Sequence, residues 1–213
     1  MPRLGVINGR MEASRMTTIR TERLTLRPFS EDDIPAYAQI RRKPGVTRFM
    51  PSHTDDPVES DKRAAATVRA FAKLWEAPGY GPWAVEYAGD LIGHTGLRFV
   101  ADMDATEVLY LLDPAHHGHG FATEAGAAAL KYGFETLGLN EIVAWAMEEN
   151  SASLAVMQRL GMERVPGLVT VFGVQAVETR LIAARYADDG RQAGRRSSAA
   201  RRTRPNHITP YKN

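Results

Sequence analysis

Three histidines and two glycines crowd into Asp113-Pro-Ala-His-His-Gly-His-Gly-Phe-Ala-Thr-Glu-Ala125, the part of the chain whose residue types are best suited to chemistry. Gly118 and Gly120 let backbone N–H groups approach a ligand with no side chain in the way. The alanine-rich run that follows reads as a long helix, whose positive dipole end and unpaired N–H groups point at the same place. Together they make a cradle for phosphate, with His119 as a polar, sometimes cationic neighbour to the anion. A dinucleotide fingerprint would need a third glycine where Thr123 stands, and no Gly-Lys-Ser/Thr phosphate loop occurs. A metal site on His116, His117 and His119 is not expected, because adjacent histidines on a tight loop point apart and no acidic ligands cluster beside them.

The elements around this loop follow from periodicity and punctuation. Residues 23–27 alternate with period two as a first strand, and Ser30 with three following acids opens a helix to about residue 42. A loop over 51–57 leads to a second helix over 58–75. Strands over 82–87 and 91–100 are joined by the turn Ala88-Gly89-Asp90. The strand before the cradle covers 106–112, and the helix after it runs from 122 to 137, closed by Gly138. A strand over 141–147, a helix over 151–160 with Asn150 in the cap position and Gly161 at its end, and strands over 163–172 and 174–185 complete the domain. This order reads as α+β or mixed α/β, one sheet flanked by helices. Trp75, Trp83 and Tyr110 fall at core positions. His94 is a structural histidine or a lining residue of an acceptor pocket.

The net charge of +2 over 213 residues conceals an uneven distribution. Residues 1–20 carry a net +3 and residues 187–213 a net +5, which leaves −6 on the stretch between. The basic balance therefore belongs to the ends and does not indicate a nucleic-acid-binding fold. Residues 1–18, with Met11 and Met16 as alternative starts, and 187–213 read as disordered, with a domain over 19–186 between them. The tail is read as solubilising, ahead of a role in contacting RNA or a ribosome. The absence of cysteine excludes disulfides, thiolate metal sites and a cysteine nucleophile. No apolar run approaches the roughly 20 residues of a membrane span, and no secretion signal opens the chain, so the cytoplasm is the expected compartment.

His117-Gly-His-Gly-Phe-Ala122 resembles the Gln/Arg-x-x-Gly-x-Gly/Ala motif of the GNAT superfamily of acetyl-coenzyme A-dependent N-acetyltransferases. Tyr110 with Gly120-Phe-Ala-Thr-Glu-Ala125 is similar to its RimJ/RimL-type branch. So are Thr21-Glu-Arg-Leu-Thr-Leu-Arg-Pro-Phe-Ser-Glu-Asp-Asp33, Ile92-Gly-His-Thr-Gly-Leu97 and Asn150-Ser-Ala-Ser-Leu-Ala-Val-Met-Gln-Arg-Leu-Gly-Met162. The resemblance runs in order over about residues 19–185, with His117 replacing the usual Gln or Arg. It implies a mostly antiparallel sheet of about seven strands, splayed in the middle.

It further implies that the strand over 107–112, through backbone groups near Leu111 and Leu112, takes up pantetheine as a pseudo-strand. The amides of Gly118, His119, Gly120, Phe121 and Ala122 would hold the pyrophosphate, with Thr123 adding a hydroxyl and Asn150 an amide. The tyrosine that many members use to protonate the leaving thiolate is replaced here by Met157, and Ser153 is its substitute. Glu107 stands where related enzymes often carry an acid and is the candidate base, with Glu124 as runner-up and more plausibly an orienting residue. A free glutamate, with a pKa of about 4.3, is a poor acceptor for an ammonium proton unless burial or a water relay helps. An α-amine near 8 asks less of it than a lysine side chain near 10.4. The implied activity is acetyl transfer from acetyl-coenzyme A to a primary amine in a ternary complex. A peptide N-terminus is the first choice of acceptor and an antibiotic or metabolite amine the second. A non-catalytic acyl-coenzyme A sensor docked to RNA through its tail is a further alternative. Monomer and homodimer both remain open.

Overall fold

In a computed structural model, described for residues 17–50, 53–76 and 78–188, nine strands form the sheet and four α-helices flank it. The strands are β1 (Ile19–Arg20), β2 (Leu24–Pro28), β3 (Pro82–Tyr87), β4 (Asp90–Val100), β5 (Ala105–Leu112), β6 (Glu141–Ala146), β7 (Glu163–Arg164), β8 (Val169–Val171) and β9 (Val174–Ile182). The helices are α1 (Ile34–Arg42), α2 (Pro57–Leu74), α3 (Phe121–Lys131) and α4 (Ser151–Arg159). Strand order is β1-β2-β3-β4-β5-β6-β9-β7, with β8 also paired to β9. Every pairing is antiparallel except β5 with β6.

Two apolar layers cover the two faces. One gathers Phe29, Tyr37, Ala64, Val68 and Phe71 from the α1–α2 side onto Ala84. The other packs Phe121, Ala125, Ala129 and Met157 of α3 and α4 onto Leu26, Val85, Val108 and Ile142. Alanines along α3 keep that helix thin enough to lie close on the sheet. Trp75 and Trp83 are buried as expected, their rings 4.9 Å apart, with Tyr132 edge-on against Trp83 at 5.2 Å. Gly93 is required by close approach, since a Cβ there would stand 2.0 Å from the Leu111 carbonyl oxygen.

The sheet has nine strands rather than about seven, because one short strand was not anticipated and one expected strand is broken in two. β1 is a two-residue strand upstream of the first expected one. The strand expected over 163–172 is broken: Val165 N–H still donates to the Glu178 carbonyl at 2.9 Å, then Pro166, which has no N–H, leaves the ladder until Val169. The last strand stops at Ile182, and residues 183–188 turn helical instead of extending to 185. The central helix ends in a π turn over Tyr132–Thr136 before Gly138, at φ 65°, reverses the chain. At the N-terminal end Thr17 belongs to the fold, its carbonyl accepting from Trp83 Nε1 at 2.7 Å. Residues 1–16 and 189–213, on which both disordered-end expectations rest, lie outside the described residues.

Candidate active site

β5 and β6 run parallel yet register at a single pair, Glu107 with Val143. Beyond it, toward Leu112 and Ala146, the two strands part. The opening leads into a cleft of about 970 Å³ floored by residues 107–112 of β5. Its sides come from Trp145, the Gly118–Gly120 loop, Asn150 and Ser153 of the α4 start, Phe49 and Met50 from the α1–α2 connection, and Phe172 from the β8–β9 turn. One cleft therefore holds all the expected cofactor-contacting residues except His119.

The cradle loop has the backbone that its glycines allow. Gly118 and Gly120 lie at φ 79° and 78°, and Gly120 is the N-cap of α3 with no side-chain cap. Among the described residues, none of the backbone N–H groups of 118–123 donates to a protein acceptor. A helix start whose donors face a cleft without internal partners is suited to an anion such as a diphosphate. The three histidines are directed apart. His117 Nε2 lies 3.0 Å from the Leu112 carbonyl, tying the loop back onto β5, and His119 Nδ1 lies 2.9 Å from the His117 carbonyl. Because each carbonyl can only accept, each of these nitrogens carries the proton. His119 stacks on Phe121 with centroids 5.7 Å apart. Among the described residues no group of three His, Asp or Glu side chains could hold a metal ion.

At the fork of the sheet Glu107 is 5% exposed, and Arg98 of β4 grips its Oε1 with Nε at 2.7 Å and Nη2 at 2.5 Å. Burial pushes the Glu107 carboxyl above the ordinary glutamate value, and Arg98 offsets only part of the rise. Glu124 is engaged elsewhere, paired with Arg23 and Thr21. On the other wall Asn150 Oδ1 accepts from Ser153 N–H at 3.1 Å, the cap expected of it, while its amide N–H donors bond to nothing among the described residues. The Ser153 hydroxyl lies 3.0 Å from the Tyr110 hydroxyl, which also reaches the Ser153 carbonyl at 3.0 Å. Burial lifts the Tyr110 phenol to about 12, so it stays protonated at neutral pH. His94 is 2% exposed, accepts or donates at Nδ1 with Tyr37 Oη at 3.0 Å, and edges the cleft.

Sequence reading missed Arg98 and the part played by Tyr110. Register supplies the signal: Arg98 is the cross-strand partner of Glu107 in an antiparallel pair, where opposite side chains share a face. Tyr110 lies an odd number of residues from Glu107, so it belongs to the face of β5 covered by α4.

Residues 23–163 match the model of the acetyltransferase (GNAT) domain. The chain belongs to the GNAT acetyltransferase family. An uncharacterized N-acetyltransferase of Bacillus subtilis, YoaA, is 29% identical over 149 residues, 68% of this chain and 82% of that protein. The crystal structure of an acetyltransferase from Agrobacterium tumefaciens superposes with a TM-score of 0.68 at 28% identity, covering 78% of this chain and 95% of that one. RimL, an acetyltransferase of ribosomal L7/L12 solved with coenzyme A, superposes at 0.65 and 17% identity over 79% of this chain and 99% of its own, a likeness of fold. No helix among the described residues is long and apolar enough to cross a membrane.

Proposed function

We propose that this N-acetyltransferase takes its acetyl group from acetyl-coenzyme A and delivers it to the α-amine of a peptide or protein N-terminus. The observation that carries the reading is the single Glu107–Val143 rung, which leaves β5 an unpaired edge leading straight to a cradle of unengaged amides. An extended amide-bearing chain such as pantetheine adds to such an edge as a strand would, with its diphosphate on residues 118–122 and the Asn150 amide beside it. The donor brings the reactive thioester. The chain positions it at the fork, where holding amine and acyl group together supplies much of the rate. N–H groups along the β5 edge polarise the acyl carbonyl.

Glu107 takes the proton of the incoming amine, directly or through one water, and the Ser153 hydroxyl supplies a hydrogen bond or proton to the departing thiolate. The amine attacks the thioester directly in the ternary complex, its nitrogen forming the amide bond as the carbon–sulfur bond of the donor breaks. An N-terminal α-amine suits a carboxylate of modestly raised basicity better than a lysine side chain does. Thiol release from acetyl-coenzyme A, measured across a panel of peptides with free N-termini, polyamines and aminoglycosides, tests the assignment. Turnover on peptides supports it. Turnover confined to small amines transfers the acceptor to that class, and an absence of thiol release with every acceptor in the panel leaves a binding protein.

A further inference from the structure

The β1–β2 connection Thr21-Glu-Arg23 lies far from the cleft in sequence, yet it is locked onto the back of the cradle. Glu124, in the first turn of α3, receives three hydrogen bonds and a further ion-pair contact. The Thr21 hydroxyl donates at 2.6 Å and the Arg23 backbone N–H at 2.9 Å to Oε1, while Arg23 Nε at 2.7 Å and Nη2 at 2.6 Å hold Oε2. Held this way, Arg23 lays its guanidinium over the Phe121 ring at 4.5 Å and donates from Nη1 to the His119 carbonyl at 2.9 Å.

That last bond has a geometric consequence. In a trans peptide the C=O and N–H of one unit point in opposite directions. Fixing the His119 carbonyl on Arg23 therefore aims the Gly120 N–H away from Arg23. It also keeps a carbonyl oxygen, which would repel an anion, turned outward. Gly120 has little steric resistance to peptide rotation, so this plane needs an external restraint. We propose that Arg23 is a positioning residue for donor binding: clamped by Glu124 and Thr21, it fixes the His119–Gly120 peptide so that the cradle presents N–H groups to the diphosphate. The inference rests on the acyl-coenzyme A reading above. It makes Glu124 the anchor of the device rather than a base.

Isothermal titration of the full chain with coenzyme A and with pantetheine, which lacks the diphosphate, separates the possibilities. The wild-type chain binds both, coenzyme A the more tightly. Arg23→Gln weakens coenzyme A about tenfold or more, the scale of a lost charge-assisted hydrogen bond, and leaves pantetheine unchanged. Arg23→Lys does not restore affinity, because an ammonium cannot hold the carboxylate and the carbonyl through one rigid fork. Glu124→Gln, which loosens Arg23 while keeping the helix start, weakens coenzyme A in the same selective way and provides the test if Arg23→Gln fails to fold. Equal losses for both ligands, an unchanged coenzyme A affinity, or full recovery with lysine overturn the proposal. Failure of the wild-type chain to bind either ligand sinks the acyl-coenzyme A reading itself, a result distinct from those.

Discussion

Arg98 and Glu107 face each other across β4 and β5 at the rung where β5 pairs with β6, with two guanidinium nitrogens on a single carboxylate oxygen. The second oxygen remains for an incoming amine. As a base, Glu107 must be ionised, and burial raises the pH at which it ionises. The rate should therefore fall as pH drops through a value above the ordinary glutamate pKa. Glu107→Gln should lower kcat by about 10²- to 10⁴-fold and abolish that acidic limb. Profiles of kcat against pH for both proteins provide the check, and an unchanged limb in the variant rules out Glu107 as its source. The effect on stability has the opposite sense. A carboxyl with a raised folded-state pKa contributes stability below its unfolded value and loses it as pH rises through the folded one, so Gln at 107 should not destabilise the protein at neutral pH.

The Tyr110 phenol has one proton and two acceptors at Ser153, the carbonyl and the hydroxyl. When it donates to the carbonyl, its oxygen can accept from the serine and fix that rotor. Ser153→Ala and Tyr110→Phe should each reduce kcat by about tenfold or more, and the double variant should be little worse than either single one, as for groups acting as a unit. Steady-state kinetics on the four proteins measure the coupling. Strictly additive losses would dissociate the two hydroxyls.

Gly120 adopts φ 78°, and a side chain there would begin 3.6 Å from Arg23 Nη2. Gly120→Glu sets a carboxylate beside Arg23, where it competes with Glu124 for the guanidinium and adds negative charge to the cradle, together with left-handed strain of roughly 1–2 kcal/mol. Coenzyme A binding should be lost while circular dichroism stays native. An unchanged dissociation constant would falsify the cradle assignment.

His94 is held neutral by burial, with Arg41 and Arg98 adding charge repulsion, and its pKa is lowered to about 3. A base whose folded-state pKa is depressed contributes stability above its unfolded value near 6.5 and loses it as pH falls toward 3. The ceiling is about 4 to 5 kcal/mol at 1.36 kcal/mol per unit. The stability difference between wild type and His94→Gln, followed by urea unfolding from pH 7 to 4, should move against the wild type as pH falls. A pH-independent difference would show that His94 does not titrate in this way.

Local chemistry made much of the molecule legible. The Ala88-Gly89 hairpin, the Asn150 cap and the Gly118–Gly120 loop are set by residues within a few positions of one another, and all three stand where they were expected. The features that escaped depend on distant partners. Nothing near Tyr110 indicates that its hydroxyl will meet Ser153, 43 residues on, because that contact needs α4 laid across β5. The engagement of Glu124 by Arg23, 101 residues away, is hidden for the same reason. The break at Pro166 could have been read directly, since a proline inside an expected strand removes a ladder donor.

The lone Glu107–Val143 rung makes the sheet two panels sharing a hinge, and a pantetheine arm laid along β5 would act as the missing slat between them. Donor occupancy would then stiffen the whole protein as well as fill its cleft. Departure of the spent thiol would slacken the panels again, so that mechanical rigidity and readiness to react rise and fall together.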